Sequence, residues 1–164
     1  MTEDGPDQSQ QEAKEYANPL AAIPATGRIL GLDLGSKTIG VAVSDGMRYS
    51  ATPLETIKRT KFTADAIRLD QLIAENAIVA IILGLPLNMD GSEGPRVQST
   101  RAFARSLAQR IALPIAFWDE RLSTSAVTRM MIEADMRRDR RAEVVDKLAA
   151  SYILQGALDR LRHA

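Results

Sequence analysis

The sequence predicts an α/β domain built on a mixed five-stranded sheet, in which a three-strand antiparallel meander is continued by parallel strands and flanked by helices. Three observations carry this prediction. Short Ile-, Leu- and Val-rich runs separated by glycine turns fill residues 28–57. Two stretches beyond them repeat apolar residues at three- and four-residue spacing, and each is followed by a further apolar run. The order read along the chain is βββαβαβαα, and 164 residues fit one ordinary domain.

Residues 1–26 are rich in Gln, Glu, Asp, Pro and Ala and poor in large apolar side chains, the composition of a disordered tail ahead of a domain spanning 27–164. RILGLDLG (28–35) has the content and length of a buried strand. TIGVAVSD (38–45) places Ile39, Val41 and Val43 on one face at period two, and YSATPLETI (49–57) reads as a third strand that Pro53 demotes to an edge. Gly35-Ser36 and Asp45-Gly46-Met47 supply the turns. In KFTADAIRLDQLIAENA (61–77), Phe62, Ala66, Leu69, Leu72 and Ile73 form a helical stripe. IVAIILGLP (78–86) is an unbroken apolar run, the mark of a strand covered on both faces in a parallel arrangement. LNMDGSEGP is a loop, RVQSTRAFARSLAQRIAL a helix, and PIAFW a short strand that ends at DERLST. With Ser123 or Thr124 as N-cap, AVTRMMIEADM begins the last part; from AEVV to LDRL a second helix follows, the two broken near Arg138.

Composition narrows the chemistry. No apolar run approaches the roughly 20 residues that span a bilayer, and the N-terminus lacks the basic-then-apolar order of a signal peptide. The absence of cysteine removes disulfides, thiolate metal sites and thiol nucleophiles, and agrees with a reducing, cytoplasmic setting. The net charge of zero hides a split: residues 1–26 carry five acids against Lys14, so 20 basic and 16 acidic residues, net +4, remain from Gly27 onward. Arg137, Arg138, Arg140 and Arg141 crowd into five positions, a cluster able to hold phosphates or simply to be a solvated face.

Three acidic positions are awkward for a random acid. Asp33 sits in the middle of an apolar strand, where an ionised carboxylate costs several kcal/mol unless paired, hydrogen-bonded or bound to a metal. Asp119 and Glu120 follow IAFW at the C-terminal end of a buried strand, where α/β sheets place their ligand crevice. Asp146 precedes Ala149, Ala150 and Ile153 by three, four and seven residues, on or beside an apolar helical stripe. Clustered carboxylates repel unless cations separate them, and hard ions such as Mg²⁺ or Mn²⁺ prefer oxygen ligands. Two such ions about 4 Å apart cleave phosphodiesters, one activating water and the other stabilising the leaving oxygen, so the Asp33, Glu120 and Asp146 carboxyls are expected to converge within roughly 8 Å. Plainer roles compete. Asp33 could accept turn hydrogen bonds, Asp119 and Glu120 could cap a helix or pair with Arg121, and Asp146 could be an exposed helical acid.

The motifs GLDLGSKTIGVAVSD (31–45), GLPLNMDGSEGP (84–95), WDERLST (118–124) and DKLAASYIL (146–154) together resemble the YqgF/RuvX family, described as pre-16S rRNA nucleases and Holliday-junction resolvase-like proteins. They span nearly all of residues 28–160. The resemblance implies an RNase H-like fold, with Asp33 as the first-strand catalytic aspartate, Glu120 as the acid after the later strand with Asp119 adjacent, and Asp146 as the acid of the C-terminal helix. It also implies cytoplasmic processing of the 5′ end of pre-16S ribosomal RNA, or resolution of branched DNA, with Mg²⁺ or Mn²⁺ held by Asp33, Asp119, Glu120 and Asp146.

Lys37 and Arg121, each near an expected carboxylate, are phosphate candidates, as are Asn88 ahead of a helix N-terminus and Arg138 and Arg141 of the arginine run. Pairing of Lys37 or Arg121 with those carboxylates competes with that role. Trp118 packs in the core or stacks on a base, and His163 has no partner in sequence. DLGSKTIGVAVSD also resembles the first phosphate loop of sugar kinases and actin-like ATPases, but those proteins close two such halves around a nucleotide and only about one half is present here. A non-catalytic nucleic-acid-binding or ribosome-binding module is the further alternative. Junction cutting needs two sites and hence a dimer, whereas trimming of RNA or of ribosomal precursor particles needs only a monomer, so monomer or weak homodimer both stay open.

Overall fold

The computed structural model describes residues 20, 22–122 and 138–163, with the backbone alone over 138–146. Strands β1 (Arg28–Leu34), β2 (Thr38–Ser44) and β3 (Ala51–Lys58) are followed by helix α1 (Phe62–Glu75), strand β4 (Ile78–Leu85), helix α2 (Pro95–Arg110) and strand β5 (Ile115–Asp119). A single 3-10 turn, Glu120–Leu122, leads away from β5, and helix α3 (Arg138–Arg162) closes the chain's described part. The helix expected over 126–136 and its caps Ser123 and Thr124 lie outside the described residues.

The strands form one sheet in the order β3-β2-β1-β4-β5. Pairing is antiparallel across β3, β2 and β1 and parallel across β1, β4 and β5. This is the meander joined to crossovers that the residue periods predict. β3 is an edge strand, and its Pro53 lies opposite Ala42, where the register shifts between Val41 and Ala42. Proline cannot donate to a ladder, so an edge and an irregularity are where a strand tolerates it.

The strand pleat divides the core in two. Leu30, Leu32 and Leu34 of β1 with Ile81, Leu83 and Leu85 of β4 pack against Leu69 and Leu72 of α1 and Val97, Phe103 and Leu107 of α2. On the other face, Ile29, Ala80, Ile82, Ala116 and Trp118 meet Ala150, Ile153, Leu154, Ala157 and Leu158 of α3. Leu20 and Ile23, inside the segment expected as tail, join this second cluster, and Leu20 is only 9% exposed. Their apolar side chains find cover that a composition average over 26 residues conceals.

Helix α3 lies unusually close to β1. A Cβ at Gly31 would stand 2.7 Å from Leu154 Cβ and 3.2 Å from the Ala150 carbonyl oxygen, so only a glycine admits the helix at this depth. Gly31→Ala is therefore expected to overpack the interface, costing about 1–3 kcal/mol and lowering the Tm by about 2–12 °C in thermal unfolding. The helix direction is fixed at its far end. The Gln155 side chain accepts from the Ala51 amide at 3.0 Å and donates to the Tyr49 carbonyl at 3.1 Å, and Arg162 Nη1 donates to the same carbonyl at 3.1 Å. Tyr49 and Ala51 adjoin the end of β2 that pairs with the start of β1, where the Ile29 amide donates to Ser44 Oγ at 2.8 Å. The C-terminal half of α3 thus covers the start of β1, and its N-terminal half runs toward the end of β1.

Candidate active site

Asp33 is the sixth residue of β1 and is 2% exposed. It shares the α3 side of the strand with Gly31, two residues away. Its strand neighbours are both glycines: Gly40 of β2 is directly opposite, and Gly84 of β4 lies one step beyond the Leu32 to Leu83 pair. Lone glycines in strands mark close approaches, and Gly84 is one. A Cβ there would stand 2.6 Å from Ile153 Cδ1, 2.8 Å from Glu120 Oε1 and 3.2 Å from Glu120 Cγ. The Glu120 carboxylate therefore rests over the bare backbone of β4, one strand spacing, about 4.8 Å, from the strand that carries Asp33. The two acids share one face of the sheet, at the C-terminal ends of parallel strands.

Asp146 belongs to α3, four residues before Ala150 and seven before Ile153, in the half of the helix that runs toward the end of β1. Its side chain, like those of Arg138 and Arg141, lies outside the described residues. Among the described residues, no three Asp, Glu, His or Cys side chains gather to hold a metal ion. The two acids that do share a face offer carboxylate oxygens alone, with no thiolate in the chain and His163 at the distant end of α3, and this donor chemistry suits a hard divalent cation.

Asp119 behaves differently from its neighbour Glu120. Phe117 joins the α1 and α2 cluster and Trp118 the α3 cluster, so alternation turns Asp119 back toward α1 and α2. There Arg121 grips it, with Nη2 2.7 Å from Oδ2, Nε 3.1 Å from Oδ1 and the Arg121 amide 3.0 Å from Oδ1. The pairing competing with a metal role at the sequence level is the one the side chains make. Asp119 also holds the Arg121 guanidinium above its ordinary pKa, chiefly through that hydrogen bond. Arg121 Nη1 reaches on to the Met89 carbonyl at 3.3 Å, tying the end of β5 to the loop after β4.

That loop is closed by its own polar groups. Asn88 donates from its backbone to the Ser92 carbonyl at 3.0 Å and from Nδ2 to Ser92 Oγ at 3.0 Å. Asp90 Oδ1 accepts from the Ser92 amide at 2.9 Å and from its hydroxyl at 2.6 Å. These bonds, the hydroxyl's first, hold the Asp90 carboxyl below its ordinary value of 3.8. A depressed carboxylate favours the folded loop above that ordinary value, and the contribution disappears as pH falls through the lowered one. Ser92→Ala should move the Asp90 titration back upward, read by NMR of its carboxyl carbon. An unchanged midpoint would show that the hydroxyl is not the cause.

Lys37 is exposed in the β1–β2 turn, which the Gly35 amide closes by donating to Thr38 at 2.8 Å. Trp118 is 8% exposed and packs on Gly156, whose added Cβ would meet the indole at 3.1 Å, so its place is in the core. Sequence reasoning missed Gly84 as the seat of Glu120, although a single glycine inside an apolar strand was the available signal. No described helix is long and apolar enough to cross a membrane.

A β3-β2-β1-β4-β5 sheet with an acid near the end of its central strand and a second acid past the last strand is an RNase H-like fold. Among solved structures, Thermus thermophilus RuvC in complex with Holliday junction substrate superposes with a TM-score of 0.55 at 14% identity, covering 84% of this chain and 97% of that one. The yeast mitochondrial Holliday junction resolvase Ydc2 gives 0.50 at 12% identity, covering 99% and 90%. At these identities the likeness is one of fold. Residues 27–160 match the model of the RuvX family, described as Holliday junction resolvase, and the chain belongs to that family. A protein of Cereibacter sphaeroides strain ATCC 17025 is 68% identical over 142 residues, covering 87% of this chain and 89% of the relative. One from Paracoccus denitrificans strain Pd 1222 is 65% identical over 141 residues, covering 86% and 89%. Both carry the name "Putative pre-16S rRNA nuclease".

Proposed function

We propose that this protein is a divalent-metal-dependent endonuclease that hydrolyses phosphodiester bonds, processing the 5′ end of pre-16S rRNA in the cytoplasm during ribosome assembly. The observation that supports it best is the placement of Asp33 and Glu120 on one face over glycine-lined strands, beside Ile153 of α3, the helix that also carries Asp146. The substrate is taken from the name of close relatives.

In this reading Asp33, Glu120 and Asp146 are the ligands of Mg²⁺ or Mn²⁺. Such ions, when bound, neutralise phosphate charge and lower the pKa of an attacking water. Burial of Asp33 keeps its carboxylate fixed, and Gly84 lets Glu120 lie flat against the sheet. Asp119 orients Arg121, whose remaining N–H groups face a phosphate, and Asn88, Lys37, Arg138 and Arg141 contribute further phosphate contacts. Monomeric action suffices for RNA. Branched-DNA resolution is the second reading, favoured by the RuvC-like fold and by the family's description.

A cleavage panel decides between them. Pre-16S 5′-flank RNA and four-way DNA junctions are incubated with wild type and Asp33→Asn, with Mg²⁺, Mn²⁺ or EDTA. The proposal expects metal-dependent cutting of the RNA, lost with EDTA. Preferential junction cutting moves the reading to branched DNA. No cutting of either substrate, with either metal, overturns the nuclease.

A further inference from the structure

Five of the described arginines are already neutralised. Arg68 pairs with Glu55, Arg101 with Glu93, Arg110 with Asp70, Arg121 with Asp119 and Arg162 with Asp159. One place concentrates positive charge without acids. A cleft of about 530 Å³ between the β1–β2 turn and the start of α2 is lined by Lys37, Arg59 and Arg96, together with hydroxyls of Ser36 and Ser99, and no acidic residue lines it. Lys37 and Arg96 are exposed, and among the described residues neither is in a salt bridge.

Arg59 is fixed in place. Its Nη1 donates to the Gly35 carbonyl at 2.6 Å, its amide donates to the Lys37 carbonyl at 2.9 Å, and its guanidinium lies 5.9 Å from the Phe103 ring centroid. It thereby holds the turn that presents Lys37. The first turn of α2, a 16-residue helix, borders the same space through Pro95 and Arg96, and its dipole adds to the field. Leu34, which lines the cleft, follows Asp33 directly but faces the opposite side of the sheet. A strand crossing the end of β1 would meet the carboxylates on one side and this cleft on the other.

We propose that this cleft binds a backbone phosphate of the nucleic-acid strand being cut, at a position flanking the scissile bond. Arg59 and Arg96 are the residues that sequence reasoning did not single out. The proposal rests on the nuclease reading only for the identity of the ligand as a nucleic-acid strand; a free nucleotide presents the same phosphate chemistry.

The test measures binding, with cleavage switched off. Fluorescence anisotropy follows a labelled single-stranded RNA titrated with full-length Asp33→Asn protein across a salt series. Adding Lys37→Ala or Arg96→Ala should weaken binding several-fold and reduce the slope of log affinity against log salt by about 0.7 for each phosphate that is no longer neutralised. Arg96→Lys should restore most of the slope. Circular dichroism checks that these exposed changes leave the fold intact. Affinity and slope equal to the parent's overturn the proposal, as does weakening confined to ATP or inorganic phosphate with RNA binding unchanged. Because the readout is binding, Arg96-dependent affinity in a protein whose wild type cuts nothing would remove the nuclease and keep the cleft. Normal cutting with Arg96-independent affinity would do the reverse.

Discussion

Asp33→Asn is expected to lower metal-dependent cleavage by about three orders of magnitude while leaving the protein folded. The substitution is nearly isosteric, and the residue is 2% exposed, so packing changes little. What changes is charge. An amide is a poorer ligand for a hard cation than a carboxylate, and metal charge stabilisation is worth several kcal/mol in phosphoryl chemistry. Two measurements check this: single-turnover cleavage of a pre-16S fragment, and the Tm with and without Mn²⁺. Wild type should gain Tm with the metal by mass action and the variant should gain less. Cleavage equal to wild type would dismiss Asp33 from the mechanism, and a collapsed Tm would assign it a structural part instead.

Gly84→Ala should damage both activity and stability. The added methyl would have to displace Ile153 Cδ1 from 2.6 Å and Glu120 Oε1 from 2.8 Å, the first a core contact with α3 and the second a proposed metal ligand. Overpacking costs about 1–3 kcal/mol. Misplacing a catalytic group by about 1 Å costs about 100-fold in rate. The two effects separate experimentally: Ile153→Val makes room on the helix side, so the double variant should regain Tm but not cleavage. Recovery of both would show that Glu120 does not need its seat on Gly84.

The order of elements was legible because the period of apolar residues changes from two to 3.6 at Phe62 and because Pro53 announces an edge. Asp33 was legible for a different reason, being an ionisable residue where the surrounding pattern demands an apolar one. What the pattern concealed were juxtapositions made by the third dimension. Asp119 and Glu120 are adjacent and chemically alike, yet the pleat sends one to Arg121 and the other over Gly84. Alternation from Trp118 onward carried that information, but only once the two faces of the sheet had been given owners. Arg59 and Arg96 are 37 positions apart and share a cleft solely because β1 ends beside the start of α2. Leu20 and Ile23 were hidden by the polar residues that precede them in the same 26-residue segment.

The placement of Pro53 has a consequence for how copies of this protein associate. An open sheet invites a second chain to extend it hydrogen bond by hydrogen bond, the route to linear polymers and aggregates. β3 is one such border, and there the strand carries a proline at an irregular step and closes on the cationic pair Lys58 and Arg59. A growing ribbon would stall at that border. Extension of the sheet by a second copy is therefore disfavoured at β3.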